Sequence, residues 1–210
     1  MKARQVGNAL YGLQRLPESP EMLQFVAVLA PKVYACREEM KPQEIANAIY
    51  GLQRLGDSVE VRNLVAALTI KVQQCRDWLR AHQIGQALYG LQSLGDTLEV
   101  RQLIAALTPK VEQCREKLAS KEVSAALYGL QRLDDTEEAR QLVAALTQKV
   151  QQCREELNSQ HVGNALYGLQ RLGDSEEVRQ LIAALTPKVR QCREDLRTRD
   201  VEQTISKLMD

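Results

Sequence analysis

Five cysteines, Cys36, Cys75, Cys114, Cys153 and Cys192, each follow the last by 39 residues. Thiols in such register could hold a metal or pair as disulfides. Each falls on an apolar helical stripe, which in one copy reads Val61, Leu64, Val65, Leu68, Val72, Cys75 and Leu79. Equivalent residues on stacked helices sit about 8–10 Å apart, whereas a disulfide needs Cα atoms within about 7 Å. No Cys-x-x-Cys occurs, and His82 and His161 fall at different repeat positions. The pattern predicts five buried, reduced thiols acting as small hydrophobes and no metal site. Reduced thiols imply an intracellular compartment, the cytosol or an organelle matrix. Catalysis needs unlike groups converging on one pocket, yet here every polar position recurs down the chain. With no phosphate loop, His-Glu-x-x-His or triad pattern, the sequence predicts no enzyme, no catalytic residue and no cofactor.

A second periodic set could do the chemistry of binding. Opposite the apolar stripe of the first helix in each unit lie four positions spaced i, i+4, i+7 and i+11. They are Arg4, Asn8, Tyr11, Arg15; Gln43, Asn47, Tyr50, Arg54; His82, Gln86, Tyr89, Ser93; Lys121, Ala125, Tyr128, Arg132; and Gln160, Asn164, Tyr167, Arg171. Six of these positions are Lys or Arg and none is Asp or Glu, although the whole chain carries a net charge of only +1. Amides donate and accept towards a base edge or a peptide group. Arg can reach phosphate or carboxylate, and aromatic rings stack.

The elements that must position these residues follow from the repeat. Tyr-Gly recurs at Tyr11, Tyr50, Tyr89, Tyr128 and Tyr167, again every 39 residues along a chain of 210. A repeat of this length marks a solenoid of supersecondary units. Val162, Ala165, Leu166, Leu169 and Leu172 trace one face of a first helix that runs on to Leu172. Ser120, Ser159 and Thr198 are its expected N-caps, and Gly56, Gly95 and Gly173 are expected to end it in the left-handed region. Asp57 with Glu60, Asp96 with Glu99, and Asp174 with Glu177 resemble a capping box opening the second helix. That helix should run about five turns, to Leu79 in the copy quoted above. Pro31, Pro109 and Pro187 either kink it or divide it into two short helices. Lys71, Lys110 and Lys149 on this helix read as surface charge on another face.

The fold class is therefore all-α, an αα-hairpin solenoid of five 39-residue repeats plus a C-terminal half-repeat. Residues 1–210 form one solenoid, with units at approximately 4–42, 43–81, 82–120, 121–159 and 160–198. The half-unit 199–210 keeps the apolar register at Val201, Thr204, Ile205 and Leu208. Lys and Arg total 28 against 27 Asp and Glu, which excludes a strongly basic coat or acidic tail. No apolar run approaches the roughly 18 residues that span a bilayer, so no membrane partner is expected. Gly after each Tyr costs about 1 kcal/mol relative to Ala. Five copies suggest close approach of neighbouring first helices, a curved monomeric array, and the stripe on its concave side.

Ile45-Ala46-Asn47-Ala48-Ile49-Tyr50-Gly51-Leu52-Gln53-Arg54-Leu55-Gly56 resembles the first-helix signature of octotricopeptide and heptatricopeptide repeats. It is similar also to the repeats of FAST-kinase-like organellar proteins. Tyr50 stands where those families carry Trp, and Gly51 where they carry Ala. The resemblance implies a helical-repeat fold and binding of single-stranded RNA, at about one unit per nucleotide along the Tyr/Asn/Arg stripe. The competing expectation is a protein-interaction scaffold that takes an extended acidic peptide. Trp78 stands alone among Glu39, Lys117, Glu156 and Asp195 at its repeat position, a local departure on another face. Near-identity of the units also suits a consensus-built array with no natural ligand.

Overall fold

The computed structural model describes residues 1–192. The expected cap at Thr198 and the half-unit 199–210 lie outside the described residues. Ten α-helices form five pairs, and the described residues contain no strand. The first helices are α1 (Ala3–Gly12), α3 (Pro42–Tyr50), α5 (Ala81–Tyr89), α7 (Ser120–Tyr128) and α9 (Ser159–Gly168). The second helices are α2 (Pro20–Tyr34), α4 (Val59–Gln74), α6 (Leu98–Gln113), α8 (Glu137–Gln152) and α10 (Glu176–Gln191). Each first helix packs on the first helix of the next unit, and each second helix on the next second helix. Two parallel rows result, with one continuous apolar core between them.

The helix starts differ from the sequence reading. Second helices are capped by Ser19, Ser58, Thr97, Thr136 and Ser175, whose hydroxyls accept from the N–H three residues on. The preceding Asp is thereby free for another partner. Asp57, Asp96, Asp135 and Asp174 each receive a guanidinium five residues on, from Arg62, Arg101, Arg140 and Arg179. First helices are not capped by Ser120 or Ser159, which are their first helical residues; the caps are Ala119 and Asn158. Ser120 instead donates through N–H and hydroxyl to Glu155, both at 2.9 Å.

That bond belongs to a series. The N–H groups of Ala3 and Ala81 donate to Glu38 and Glu116, again 35 residues on and at 2.9 Å. A carboxylate from the loop after the second helix therefore holds the positive end of the same unit's first helix. Unit two departs from the pattern consistently. Pro42 has no N–H to offer, and the carboxylate position holds Asp77, which pairs instead with Lys41 at 3.4 Å.

Both helices are shorter than expected. The second helices stop at Gln74, Gln113, Gln152 and Gln191, and the following Cys adopts an extended conformation. Leu79 is fully buried, but from the connecting segment. The apolar stripe outlasts the helix because the connection packs into the same core. Pro31, Pro109 and Pro187 lie inside α2, α6 and α10, which run on as single helices. The prolines are exposed.

Gly56, Gly95 and Gly173 do not end helices in the left-handed region, because no described residue has a positive φ. A Cβ there would press on a carboxylate of the preceding unit: Glu18, Asp57 and Asp135 respectively. Close approach between units, and not chain reversal, keeps those positions small.

Candidate functional site

Each first helix ends at or just past its Tyr, and the chain then tightens. Leu52 N–H donates to Ile49, Gln53 to Tyr50 and Leu55 to Leu52, all i to i−3 bonds. In such a three-residue turn, i and i+3 eclipse. Gln53 therefore falls in line with Tyr50, and Arg54 is carried about 120° past it. The sequence reading placed Arg54 and its copies on the Tyr line by continuing the α-helix to Leu172. The observed turn sets them beside that line.

The line itself is a ladder. Tyr11, Tyr50, Tyr89, Tyr128 and Tyr167 stack ring on ring, with centroids 5.9, 5.9, 5.6 and 5.7 Å apart and planes 21–28° from parallel. Those separations fall within the range of direct aromatic contact. The Gly after each Tyr permits them. A Cβ on Gly51, Gly90, Gly129 or Gly168 would land on the carbonyl of Leu10, Ile49, Leu88 or Leu127 in the preceding unit.

Beside the ladder the amides bond to one another within and across units. Gln86 donates to Asn47 at 3.0 Å, Gln43 to Asn47 at 2.9 Å, and Gln83 to Gln43 at 3.1 Å. The imidazole Nε2 of His82 lies 3.3 Å from the Gln43 carbonyl oxygen. Asn164 donates to Ser124 at 3.2 Å. A second amide row went unrecognised in the sequence. Gln92 donates to Gln53 at 3.4 Å, Gln170 to the Gln131 carbonyl at 3.2 Å, and Ser93 to the Gln53 carbonyl at 2.7 Å. Its signal is Gln three residues after each ladder Tyr, from Gln14 to Gln170.

The cations divide. Arg171 is bound to Asp134 at 2.7 Å. Arg4, Arg15, Arg54, Lys121 and Arg132 are exposed and form no ion pair among the described residues. Asn8 and Gln160 are exposed at the two ends of the row. A groove of about 400 Å³ joins residues of four successive units: Tyr11, Tyr50, His82, Gly85, Gln86, Tyr89, Lys121, Glu122 and Ala125. Glu122 takes the helix position at which Gln5, Glu44 and Gln83 reach back to the N-cap N–H. It makes no such bond, and its Oε2 is buried without a partner. The groove thus carries one carboxylate that the stripe alone did not reveal.

The thiols lie elsewhere. Cys36, Cys75, Cys114 and Cys153 are buried thiols outside any disulfide, and Cys192 is half-buried. Burial pushes the Cys75 and Cys114 thiols above the usual range. Among the described residues no group of His, Cys, Asp and Glu could hold a metal ion. No helix there is long and apolar enough to cross a membrane.

No protein-family model matches the sequence, and no curated protein aligns with it significantly. Among solved structures the chain is similar to a designed armadillo repeat protein, YIII(Dq)4CqI. The TM-score is 0.57 at 14% identity, covering 98% of this chain and 89% of that one. At that identity the likeness concerns the fold alone: an all-helical tandem-repeat solenoid whose solved counterpart is a designed repeat protein.

Proposed function

We propose that this chain is a binding scaffold whose tyrosine side takes an extended acidic peptide, about two residues to each repeat unit. The observation that carries the reading is the closed ladder. Because the rings stand 5.6–5.9 Å apart, too close for a base to enter between two of them, they offer a ligand a row of edges and hydroxyls. Side chains on one face of an extended strand recur at about 6.6–6.8 Å, less when the strand twists. Acidic side chains at alternate positions can therefore keep pace with the phenols. The unpaired Arg15, Arg54, Lys121 and Arg132 supply the opposing charge, and the flanking amides match peptide N–H and C=O groups. Ring spacing below the usual 8–10 Å between packed helices also fits side chains converging inside a curve.

Single-stranded RNA is the second reading, favoured by the same unpaired cations and by the octotricopeptide-like motif. It requires ring faces for base stacking, and the inner faces are already in use. The test is fluorescence anisotropy with a labelled ten-residue peptide alternating Glu and Val. Companion probes are the same composition with its Glu clustered at one end, and a random-sequence single-stranded RNA. The alternating peptide is expected to bind tightest. Tighter RNA binding would install the second reading, and equal binding of both peptides would reduce the contact to diffuse charge.

A further inference from the structure

The amide row on the tyrosine side has one gap. Unit by unit it reads Asn8, Asn47, Gln86, Ala125 and Asn164. Gln86 bonds back to Asn47 at 3.0 Å, but the methyl of Ala125 offers Gln86 no partner from the following unit. Asn164 turns to the Ser124 hydroxyl at 3.2 Å instead. The groove of about 400 Å³ has Ala125 in its wall, so its floor is open where every other unit carries an amide.

Glu122 lines the same groove one turn before Ala125. Its stem packs against Gly85, where an added Cβ would come within 3.1, 3.2 and 3.3 Å of the Glu122 Cα, Cβ and Cγ. The carboxylate belongs to the first turn of α7, where the helix dipole favours negative charge. A dipole supplies no hydrogen bond, and Oε2 stays buried without a donor. Neither cationic candidate in the groove reaches it. Lys121 is exposed and forms no ion pair among the described residues, and the His82 ring lies 3.3 Å from Gln43. A buried carboxylate oxygen without a donor costs free energy that an entering N–H group would restore.

We infer that the gap is a subsite for one basic side chain of the ligand, with Ala125 as the space it enters and Glu122 as its acceptor. The inference rests on the peptide reading above and fixes that peptide's register. An otherwise acidic strand carries Lys or Arg at the one step facing unit four. Its aliphatic stem lies along Ala125 and Gly85, and its head meets Glu122. The terminal torsion of Glu is soft, so a small rotation turns the carboxylate into the groove. Lys121 sits about 100° round the helix from Glu122 and serves an acidic residue at a neighbouring step.

A lysine scan of the alternating Glu and Val peptide tests this by fluorescence anisotropy. Five ten-residue peptides each replace one Glu with Lys. One of the five should bind about tenfold tighter than the others, the gain expected of a charge-assisted hydrogen bond. Glu122→Gln should make the five equal. Ala125→Gln, which copies Gln86, should fill the gap and do the same with Glu122 still present; circular dichroism confirms both folds. Five equal affinities on the wild type, while the all-Glu parent binds, overturn the inference and leave the peptide reading standing. So does a preferred position that survives Glu122→Gln, or Gln at that position binding as tightly as Lys. Failure of the parent and all five to bind removes the peptide reading itself, and the subsite with it.

Discussion

The ammonium of Lys71 donates to the carbonyl of Cys36 at 2.6 Å and to that of Tyr34 at 3.2 Å, although Lys71 is only 2% exposed. Lys110, Lys149 and Lys188 repeat the contact on Cys75, Cys114 and Cys153. A helix leaves its last carbonyls without partners and concentrates partial negative charge there. The second helices α2, α4, α6 and α8 are therefore each capped by a cation from the following unit. The cap couples neighbouring units.

Removing such a cap should cost stability where the lysine is buried and almost nothing at Lys32. Lys110→Met leaves buried carbonyls unsatisfied, at about 1–3 kcal/mol. Lys32→Met, at an exposed site with no partner among the described residues, should stay within about 0.5 kcal/mol. Urea unfolding of dilute protein gives both values. Equal effects would mean that the interior lysines act through general charge.

Glycine position should show the same contrast. Gly51→Ala, Gly90→Ala and Gly129→Ala each drive a methyl onto the preceding unit's backbone, and overpacking of this kind costs about 1–3 kcal/mol. Gly12→Ala meets nothing and should be neutral or gain up to about 1 kcal/mol of helix propensity. Thermal midpoints at low concentration distinguish the two. Neutral inner substitutions would show that the first helices are not in backbone contact.

What was legible in the sequence was whatever apolar periodicity controls. The two-helix unit, the buried Cys75 and the helical stripe of α4 are all written in spacing. Lys71 was not legible, because lysine is rarely buried and its partner lies in the previous unit. Asp57 looked like a cap because it sits beside the real one, Ser58; only geometry shows it turned towards Arg62. The ladder was half legible. Its tyrosines were visible, but ring-on-ring contact depends on the interhelix distance set by Gly51, which no single unit displays. Arg54 was misplaced because the switch from α-helix to three-residue turns leaves no mark in the apolar pattern.

Acid should loosen the array. Hydrogen bonds from Arg62, Arg140 and Arg179 hold Asp57, Asp135 and Asp174 below the usual carboxylate range. Bonds from the Ser120 N–H and hydroxyl do the same for Glu155. A carboxyl with a depressed folded value stabilises the fold above its unfolded value, about 3.9 for Asp, and that contribution disappears as pH falls through the folded value. The melting temperature should be flat near neutrality and fall as pH drops below about 4. Asp57→Asn combined with Asp174→Asn should shallow that fall. An unchanged slope would mean that these exposed pairs contribute nothing measurable.

Hydroxyl and ring can be separated at the ladder itself, which decides between peptide and RNA. Replacing Tyr50, Tyr89 and Tyr128 with Phe keeps the stacked rings and deletes the hydroxyls. If carboxylates dock on the phenol edges, each engaged hydroxyl lost should cost about 1.5–3 kcal/mol of peptide affinity, as for hydrogen bonds to charged groups. If bases stack on rings, the Phe set should retain RNA affinity, and only Ala replacements should cost about 1–3 kcal/mol for each engaged ring. Charge needs its own arm. Replacing Arg15, Arg54 and Arg132 with Gln should weaken binding and flatten its salt dependence, because these side chains are exposed and unpaired. Lys71, Lys110 and Lys149, which the sequence reads as surface charge, are buried and cannot serve as a charge control, since removing them strips helix caps from the core. Arg37, Arg76 and Arg115, exposed after the ends of α2, α4 and α6, remove the same charge without that damage. Binding that falls equally in both arginine sets would reduce the interaction to diffuse attraction. Binding that survives the Phe set and the Arg15, Arg54 and Arg132 set alike would remove the tyrosine side from consideration.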